Sequence, residues 1–107
     1  MNYTQIVRKL IHEPGVAEST MMGSPCLRYK GEFFAMMFDR EQSLIIKVAP
    51  ERVNELIAQG VGNEFNFTKK RFKEWVLIPL DREREFEAFA HEALEYAKAR
   101  DKRKKKK

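Results

Sequence analysis

Residues 27–38 consist of Leu-Arg-Tyr-Lys-Gly-Glu-Phe-Phe-Ala-Met-Met-Phe. Leu27 and Tyr29 alternate with basic residues, which is the period of a β-strand. Lys30-Gly31 supplies a turn, and residues 32–38 then form a run that is apolar on both faces. A strand of that composition belongs inside a sheet that is covered on at least part of each side. This segment therefore predicts two strands joined by a tight turn, the second of them central.

The flanking sequence predicts helices and further strands. Residues 3–12 place apolar side chains on one stripe of a short helix, which Pro14-Gly15 ends. Residues 43–48 predict a third strand, and Pro50 opens a helix that Gly60 stops. The remaining predicted elements are strands over residues 63–68 and 75–79 and a last helix that Asp81 caps. The predicted order is α-β-β-β-α-β-β-α, an α+β fold in which helices pack on one antiparallel sheet of about five strands.

The net charge of +5 comes entirely from the last seven of the 107 residues. Residues 101–107 contain six basic side chains and one acid, which leaves 15 Lys or Arg and 15 Asp or Glu in residues 1–100. A segment without apolar side chains cannot bury enough surface to offset its ordering entropy. We therefore expect one folded domain over residues 1–100 and a disordered basic tail over residues 101–107.

Cysteine usage and hydropathy indicate the compartment. Cys26 is the only cysteine, which excludes an intramolecular disulfide and favours a reducing environment. The N-terminal residues lack the long apolar region of a signal peptide, and no apolar run approaches the roughly 20 residues of a membrane span. The sequence predicts a soluble cytoplasmic protein that does not enter a membrane.

Several short segments, taken in order, form a recognisable pattern. They are Met22-Gly23 and residues 27–35, 44–48, 56–60 and 73–79. This pattern resembles the N-terminal domain of the TfoX/Sxy family, over residues 19–97. The resemblance implies a bacterial protein with a fold like that of secretion chaperones and without catalytic activity. The best-known members pair this domain with a second one and co-activate natural-competence genes. For this chain it implies a stand-alone member that acts by protein–protein interaction, with a role in transcription regulation.

Methionine density and one isolated lysine indicate where a protein partner would bind. Met-rich surfaces accommodate different partners because the thioether chain repacks easily. Met36 and Met37 lie within a predicted strand and are expected in the core, which leaves Met21 and Met22 as candidate contacts. Lys47 stands among apolar residues, and it either pairs with a carboxylate, binds a partner or lies on a solvated face that discourages aggregation. The partner is an unidentified protein, and a second copy of the chain, giving a homodimer, is one form of it.

Direct binding of DNA or RNA is the alternative function. Its candidate residues are Lys69, Lys70, Arg71, Lys73 and Trp75 in one segment, with Lys102 and Arg103 in the tail. Basic residues interleaved with aromatic ones suit single-stranded nucleic acid because bases stack on the rings. A hairpin loop with its aromatic side chains turned inward has the same pattern. Binding by the tail would be non-specific, because phosphate contacts carry no sequence information.

No combination of residues has the spacing of a catalytic or metal site. Nucleophilic catalysis by Cys26 would need His12 or His91 within hydrogen-bond reach of the thiol. His91 shares a predicted helix face with Glu87 and Glu95, a pattern more typical of surface charge pairing than of metal binding. We expect no catalytic residue, cofactor or metal, and we expect Cys26 to be buried as a small apolar side chain.

Overall fold

A computed structural model describes residues 3–21, 23–38, 43–67 and 70–105, with the backbone alone for residues 65–67, 70–72 and 103–105. The elements within them are α1 (Tyr3–Leu10), β1 (Val16–Met21), β2 (Ser24–Tyr29), β3 (Glu32–Phe38), β4 (Ser43–Lys47), α2 (Pro50–Ala58), β5 (Asn63–Phe67), β6 (Lys70–Ile78), a 3-10 helix (Leu80–Glu85) and α3 (Phe86–Lys105). The six strands form one antiparallel sheet in the order β1-β2-β3-β4-β6-β5.

The predicted α+β class is confirmed, whereas the predicted count of about five strands misses β1. This strand lies at the edge of the sheet, and its residues Val-Ala-Glu-Ser-Thr-Met are all partly or fully exposed. A strand that buries so little shows no apolar alternation. The start of β6 was also predicted too late, since Lys70 and Arg71 belong to the strand and not to a connecting loop. At the last helix, Asp81 lies in the 3-10 helix and α3 begins at Phe86.

Two turns predicted from local sequence are confirmed by the backbone. Lys30 and Gly31 both have positive φ, 48° and 89°, as the central residues of a type I′ hairpin turn require. Gly60 has a φ of 74° and follows Gln59, the residue that caps the C-terminus of α2. The Val61 N–H donates to the Leu56 carbonyl at 3.0 Å, which is the longer hydrogen bond of the Schellman motif that ends helices at glycine.

The main core lies between the sheet and the three helices. In it α3 packs on β3 and β4, α2 packs on β5 and β6, and α1 packs on α3. Its largest fully buried side chains are Ile6, Leu27, Phe34, Leu44, Ile46, Leu56, Ile78, Phe86 and Leu94. These residues come from every layer of the fold, so one continuous apolar core joins the helices to the sheet.

A bulge in β3 changes which side chains face the helices. Leu27 pairs with Ala35 and Arg28 pairs with Phe33, so Phe34 has no direct partner on β2. Phe34 and Ala35 both pack in the main core, although they are consecutive. As a result Phe33 and the residue after Ala35, Met36, both face the side of the sheet away from the helices.

The last helix continues beyond the predicted domain boundary at residue 100. The backbone of α3 is helical to Lys105. Within it, the Asp101 carboxylate forms an ion pair with Lys30, whose Nζ lies 3.1 Å away. The helix therefore includes five of the seven residues that composition assigned to a disordered tail. Among the described residues, no helix is both long enough and apolar enough to span a membrane.

Candidate binding face of the sheet

The side of the sheet away from the helices carries a second, smaller apolar cluster. We call this side the open face. Its apolar residues are Cys26, Phe33, Met36, Ile45 and Leu77, which are buried, and Met21, Phe38 and Trp75, which are partly buried. The described helices contribute nothing to this cluster, because their apolar side chains belong to the main core. The buried residues of this cluster are therefore shielded by one another and by its partly buried members.

Two aromatic rings cover the middle of the open face. Phe33 lies on β3 and Trp75 on β6, so β4 runs between them and their strands are roughly 10 Å apart. Their ring centroids are only 4.8 Å apart, at an interplanar angle of 52°. Both rings must therefore lean over β4. Ile45 of β4 is 0% exposed without a helix above it, and its direct cross-strand partners are Met36 and Leu77. Phe33 is buried and Trp75 is partly exposed, so Trp75 is the ring that solvent and ligands can reach.

Basic side chains surround this aromatic pair. Lys47 is the direct cross-strand partner of Trp75, and Arg28 is the partner of Phe33. Arg28 donates from Nε to the Ser19 hydroxyl at 3.2 Å, which holds the guanidinium along the open face. Lys73 is exposed and precedes Trp75 by two residues, a spacing that places both on one side of a strand.

The acids of the same strands face the helices. The Glu74 carboxylate accepts a hydrogen bond from the Tyr96 hydroxyl at 2.5 Å and lies 3.7 Å from Arg100, both on α3. Glu18, Glu32 and Glu64 pair in register with Leu27, Tyr29 and Val76, which pack on the helix side. Among the described side chains of the sheet, the charges on the open face are therefore all positive.

The structure brings together residues from both sequence-based hypotheses. Met21 and Lys47, the candidate protein contacts, share the open face with Lys73 and Trp75, candidates for nucleic acid. Met36 and Met37 pack in the two apolar clusters, as predicted. Met22 and Lys69 lie outside the described residues. Lys70, Arg71 and Arg103 are described by their backbone alone, in β6 and α3, and Lys102 is an exposed residue of α3.

Sequence reasoning missed Arg28 and Phe33 as parts of this site. The usable signal was the alternation along β2, in which Cys26 and Arg28 share a face. The bulge at Phe34 interrupts the same alternation on β3, so the pattern of residues 32–38 did not reveal that Phe33 faces away from the helices.

Cys26 is buried within the apolar cluster of the open face. The thiol is 1% exposed, and burial raises its pKa against a smaller opposing effect of the Arg28 charge. His12 and His91 are both exposed, and His91 lines a surface depression with Arg84 on the helix side. The described residues contain no group of three or more His, Cys, Asp or Glu placed to hold a metal ion.

These features define a small α+β protein with helices on one side of an antiparallel sheet and an aromatic, basic face on the other. Comparison with protein-family models matches residues 12–95 to the family described as YjbR. The match covers most of the chain, which therefore belongs to the YjbR family. Comparisons with curated proteins and with solved structures gave no match.

The family match corrects the resemblance to TfoX. The segments that carried this resemblance are the Lys30-Gly31 turn, apolar strands and the end of α2. Any meander of strands with a crossover helix needs such turns and strands in that order, so they describe an architecture and do not identify a family. The predicted role in competence regulation rested on that resemblance and is therefore no longer supported.

Proposed function

We propose that this protein is a non-enzymatic nucleic-acid-binding protein that holds a single strand on the open face of its sheet. One observation carries the proposal: the partly exposed Trp75, supported by Phe33, lies among basic side chains on a face without described acids. This is the segregation of charge that attracts phosphates, and it arises within the part of the chain whose total charge is balanced.

The open face suits a single strand better than a duplex. A base that is unpaired can stack on the Trp75 ring, a contact that contributes about 1–3 kcal/mol per base. Phe33 packs beside the Trp75 ring and limits its movement, while Lys47 and Lys73 lie on the same side of the sheet, within reach of phosphates. Sheets with exposed aromatic residues bind RNA in this way, whereas duplex bases are stacked on each other and do not offer their faces.

Protein–protein interaction is a second candidate, favoured by the partly exposed Met21 and Phe38 at the border of the same face. Because the charged side chains described on the open face are basic, such a partner would present acidic side chains around an apolar contact. Self-association into a homodimer stays a prediction.

Trp75 makes the first proposal directly measurable, because it is the only tryptophan. We expect a 12-nucleotide oligothymidylate to quench its fluorescence saturably, and a 12-base-pair duplex to bind more weakly. The fluorescence anisotropy of a labelled strand then measures the affinity of variants of the sheet, in all of which the basic tail is kept intact. Trp75→Ala should weaken binding about 5- to 150-fold, which corresponds to one stacked base.

Charge variants distinguish binding at the open face from non-specific electrostatic attraction to the rest of the protein. Lys47→Gln should reduce the slope of log affinity against log salt by about 0.7, the value for one phosphate contact in a single strand. Arg84→Gln is the matched control, since Arg84 is an exposed cation on the helix side. Equal binding by the wild type, Trp75→Ala and Lys47→Gln would refute the proposal, and so would equal affinity for strand and duplex.

A further inference from the structure

The strand β1 lies at one edge of the sheet and pairs, among the described strands, with β2 alone. We infer that a second copy of this chain pairs with this edge, β1 against β1 and antiparallel, with Ser19 opposite Ser19. The inference goes beyond the proposed function, since it assigns an interaction surface and its partner to an edge that the proposed nucleic-acid site leaves unused.

Two hydrogen bonds show which backbone groups of β1 point away from β2. The Lys30 N–H donates to the Gly15 carbonyl at 2.9 Å, in the pair that precedes the first one in the register of β1 and β2. Hydrogen-bonded and non-bonded pairs alternate in an antiparallel ladder, so the odd-numbered residues of β1 bond to β2. Its even-numbered residues direct their N–H and C=O groups outward. The Val16 N–H agrees with this direction, because it donates to the Glu13 carbonyl at 3.1 Å.

The outward side of β1 is built like a strand that can accept a neighbour. Glu18 and Thr20, whose backbone groups point outward, are both exposed. The strand contains no lysine, no proline and no shift in register, the features that usually keep edge strands from pairing. The opposite edge, β5, differs because its register against β6 shifts between Glu64 and Asn66. The β1 edge is therefore a regular template for the backbone of another strand.

The position of Glu18 selects one register for pairing with a second copy. Pairing about Ser19 places Glu18 opposite Thr20 of the second copy, so that every outward N–H and C=O of these two residues has a partner. Pairing about Glu18 would oppose two carboxylates, which destabilises a sheet. Pairing about Thr20 would place Glu18 opposite a position beyond Met21, where β1 ends.

The side chains of β1 complement each other in this register. On the open face, Ala17 would lie opposite Met21 of the second copy, a small side chain against a large one, next to the apolar cluster that contains Met21. On the helix side, the Thr20 hydroxyl could donate to the Glu18 carboxylate. The two Arg28 side chains would be three strand spacings apart, about 14 Å, which exceeds the Debye length of about 8 Å in physiological salt.

This pairing predicts a weak dimer with both open faces on one side. Directly opposite residues of an antiparallel pair face the same side of the sheet, so the two-fold axis runs perpendicular to the sheet. The contact involves one short strand from each copy, whereas stable complexes use about 20–30 residues a side. We therefore expect a dimer that dissociates on dilution.

Cross-linking through Ser19→Cys tests the register directly. The background is Cys26→Ala, because Cys26 pairs with Ser19 within the chain and could capture the new thiol. In a non-hydrogen-bonded pair the two Cα atoms are about 4.5 Å apart, within the range of a disulfide. Thr20→Cys in the same background is the matched control, since its two copies would be diagonal neighbours about 7–8 Å apart. With oxidised glutathione as the oxidant, Ser19→Cys should form the linked dimer about tenfold faster than Thr20→Cys.

Sedimentation velocity of the wild type, from about 10 μM to about 1 mM, measures the association without a cross-link. Thr20→Pro removes an outward N–H and keeps the hydrogen bonds to β2, so it should stay monomeric, whereas Thr20→Val keeps this N–H and should associate like the wild type. Circular dichroism verifies that the proline variant is folded, and the two cysteine variants test the register independently of it.

Three results would each overturn the inference: equal cross-linking rates at positions 19 and 20, a wild type that is monomeric at the highest concentration, or a folded Thr20→Pro variant that associates like the wild type. Both assays contain no nucleic acid, and Trp75→Ala should change neither of them. A failure here therefore leaves the proposed function standing, and a failure of strand binding at Trp75 leaves the dimer standing.

Discussion

The contact between Phe33 and Trp75 predicts a coupling in the free energy of unfolding. Aromatic pairs at such a separation contribute about 0.5–1.5 kcal/mol beyond their buried area. Replacing either ring with leucine removes the pair but keeps an apolar side chain over β4. The double variant Phe33→Leu/Trp75→Leu should therefore cost less than the sum of the single variants by about 0.5–1.5 kcal/mol, because the pair is lost only once.

Urea unfolding followed by far-UV circular dichroism measures this coupling, since Trp75→Leu abolishes the fluorescence signal. With a dependence of about 2 kcal/mol per molar urea, a coupling of 1 kcal/mol corresponds to about 0.5 M in the midpoint. A control cycle pairs Phe33→Leu with Phe86→Leu, on opposite sides of the sheet, and should be additive. Additivity within about 0.3 kcal/mol in both cycles would refute the claim that the two rings stabilise each other.

Three further predictions concern the core, a helix–helix ion pair and the buried thiol. Phe34→Ala, at the 0% exposed position of the bulge, should cost about 3–5 kcal/mol in urea unfolding, and a cost no greater than that of the partly exposed Phe38→Ala would contradict it. Arg52 binds Glu92 through two nitrogens, at 2.7 and 3.2 Å, and links α2 to α3. Because both groups are partly exposed, Arg52→Lys should cost less than about 1 kcal/mol and the cost should shrink in 1 M salt; a larger cost that salt does not change would show another role. Burial raises the pKa of Cys26, so the folded state keeps a proton that the unfolded thiol releases near pH 8.5, and stability should fall as the pH rises above that value. Cys26→Ala should lack this fall, and parallel pH profiles of the two proteins would count against the burial effect.

Local signals account for what sequence reasoning predicted correctly. The turn at Lys30-Gly31 needs two residues that tolerate positive φ, and the end of α2 needs one at Gly60. The apolar run of residues 32–38 requires cover on both faces wherever its strand lies. The edge strand β1 gave no such local signal and was missed. Its side chains are all partly or fully exposed, so the edge position does not require a pattern of apolar residues.

The candidate site could not be predicted from the sequence, because it depends on strand pairings between residues that are distant along the chain. Lys47 had three open interpretations, and only its register against Trp75, 28 positions later, places it beside an aromatic ring. Charge balance over residues 1–100 gave no sign of a basic face, because a count of charges does not report which side of a sheet they occupy. The family could not be identified from short motifs either, since they reflect turns and strands that many α+β proteins share.

The amino-acid sequence alone was sufficient for the α+β class, the central hairpin and the two glycine-dependent turns, because φ preferences and apolar periods act within a few residues. Only the tertiary structure determined that Glu74 faces α3 while Trp75 faces away from it, and that β3 bulges at Phe34. Strand order and register are set by the packing of the whole core, and they decide which charges share a surface.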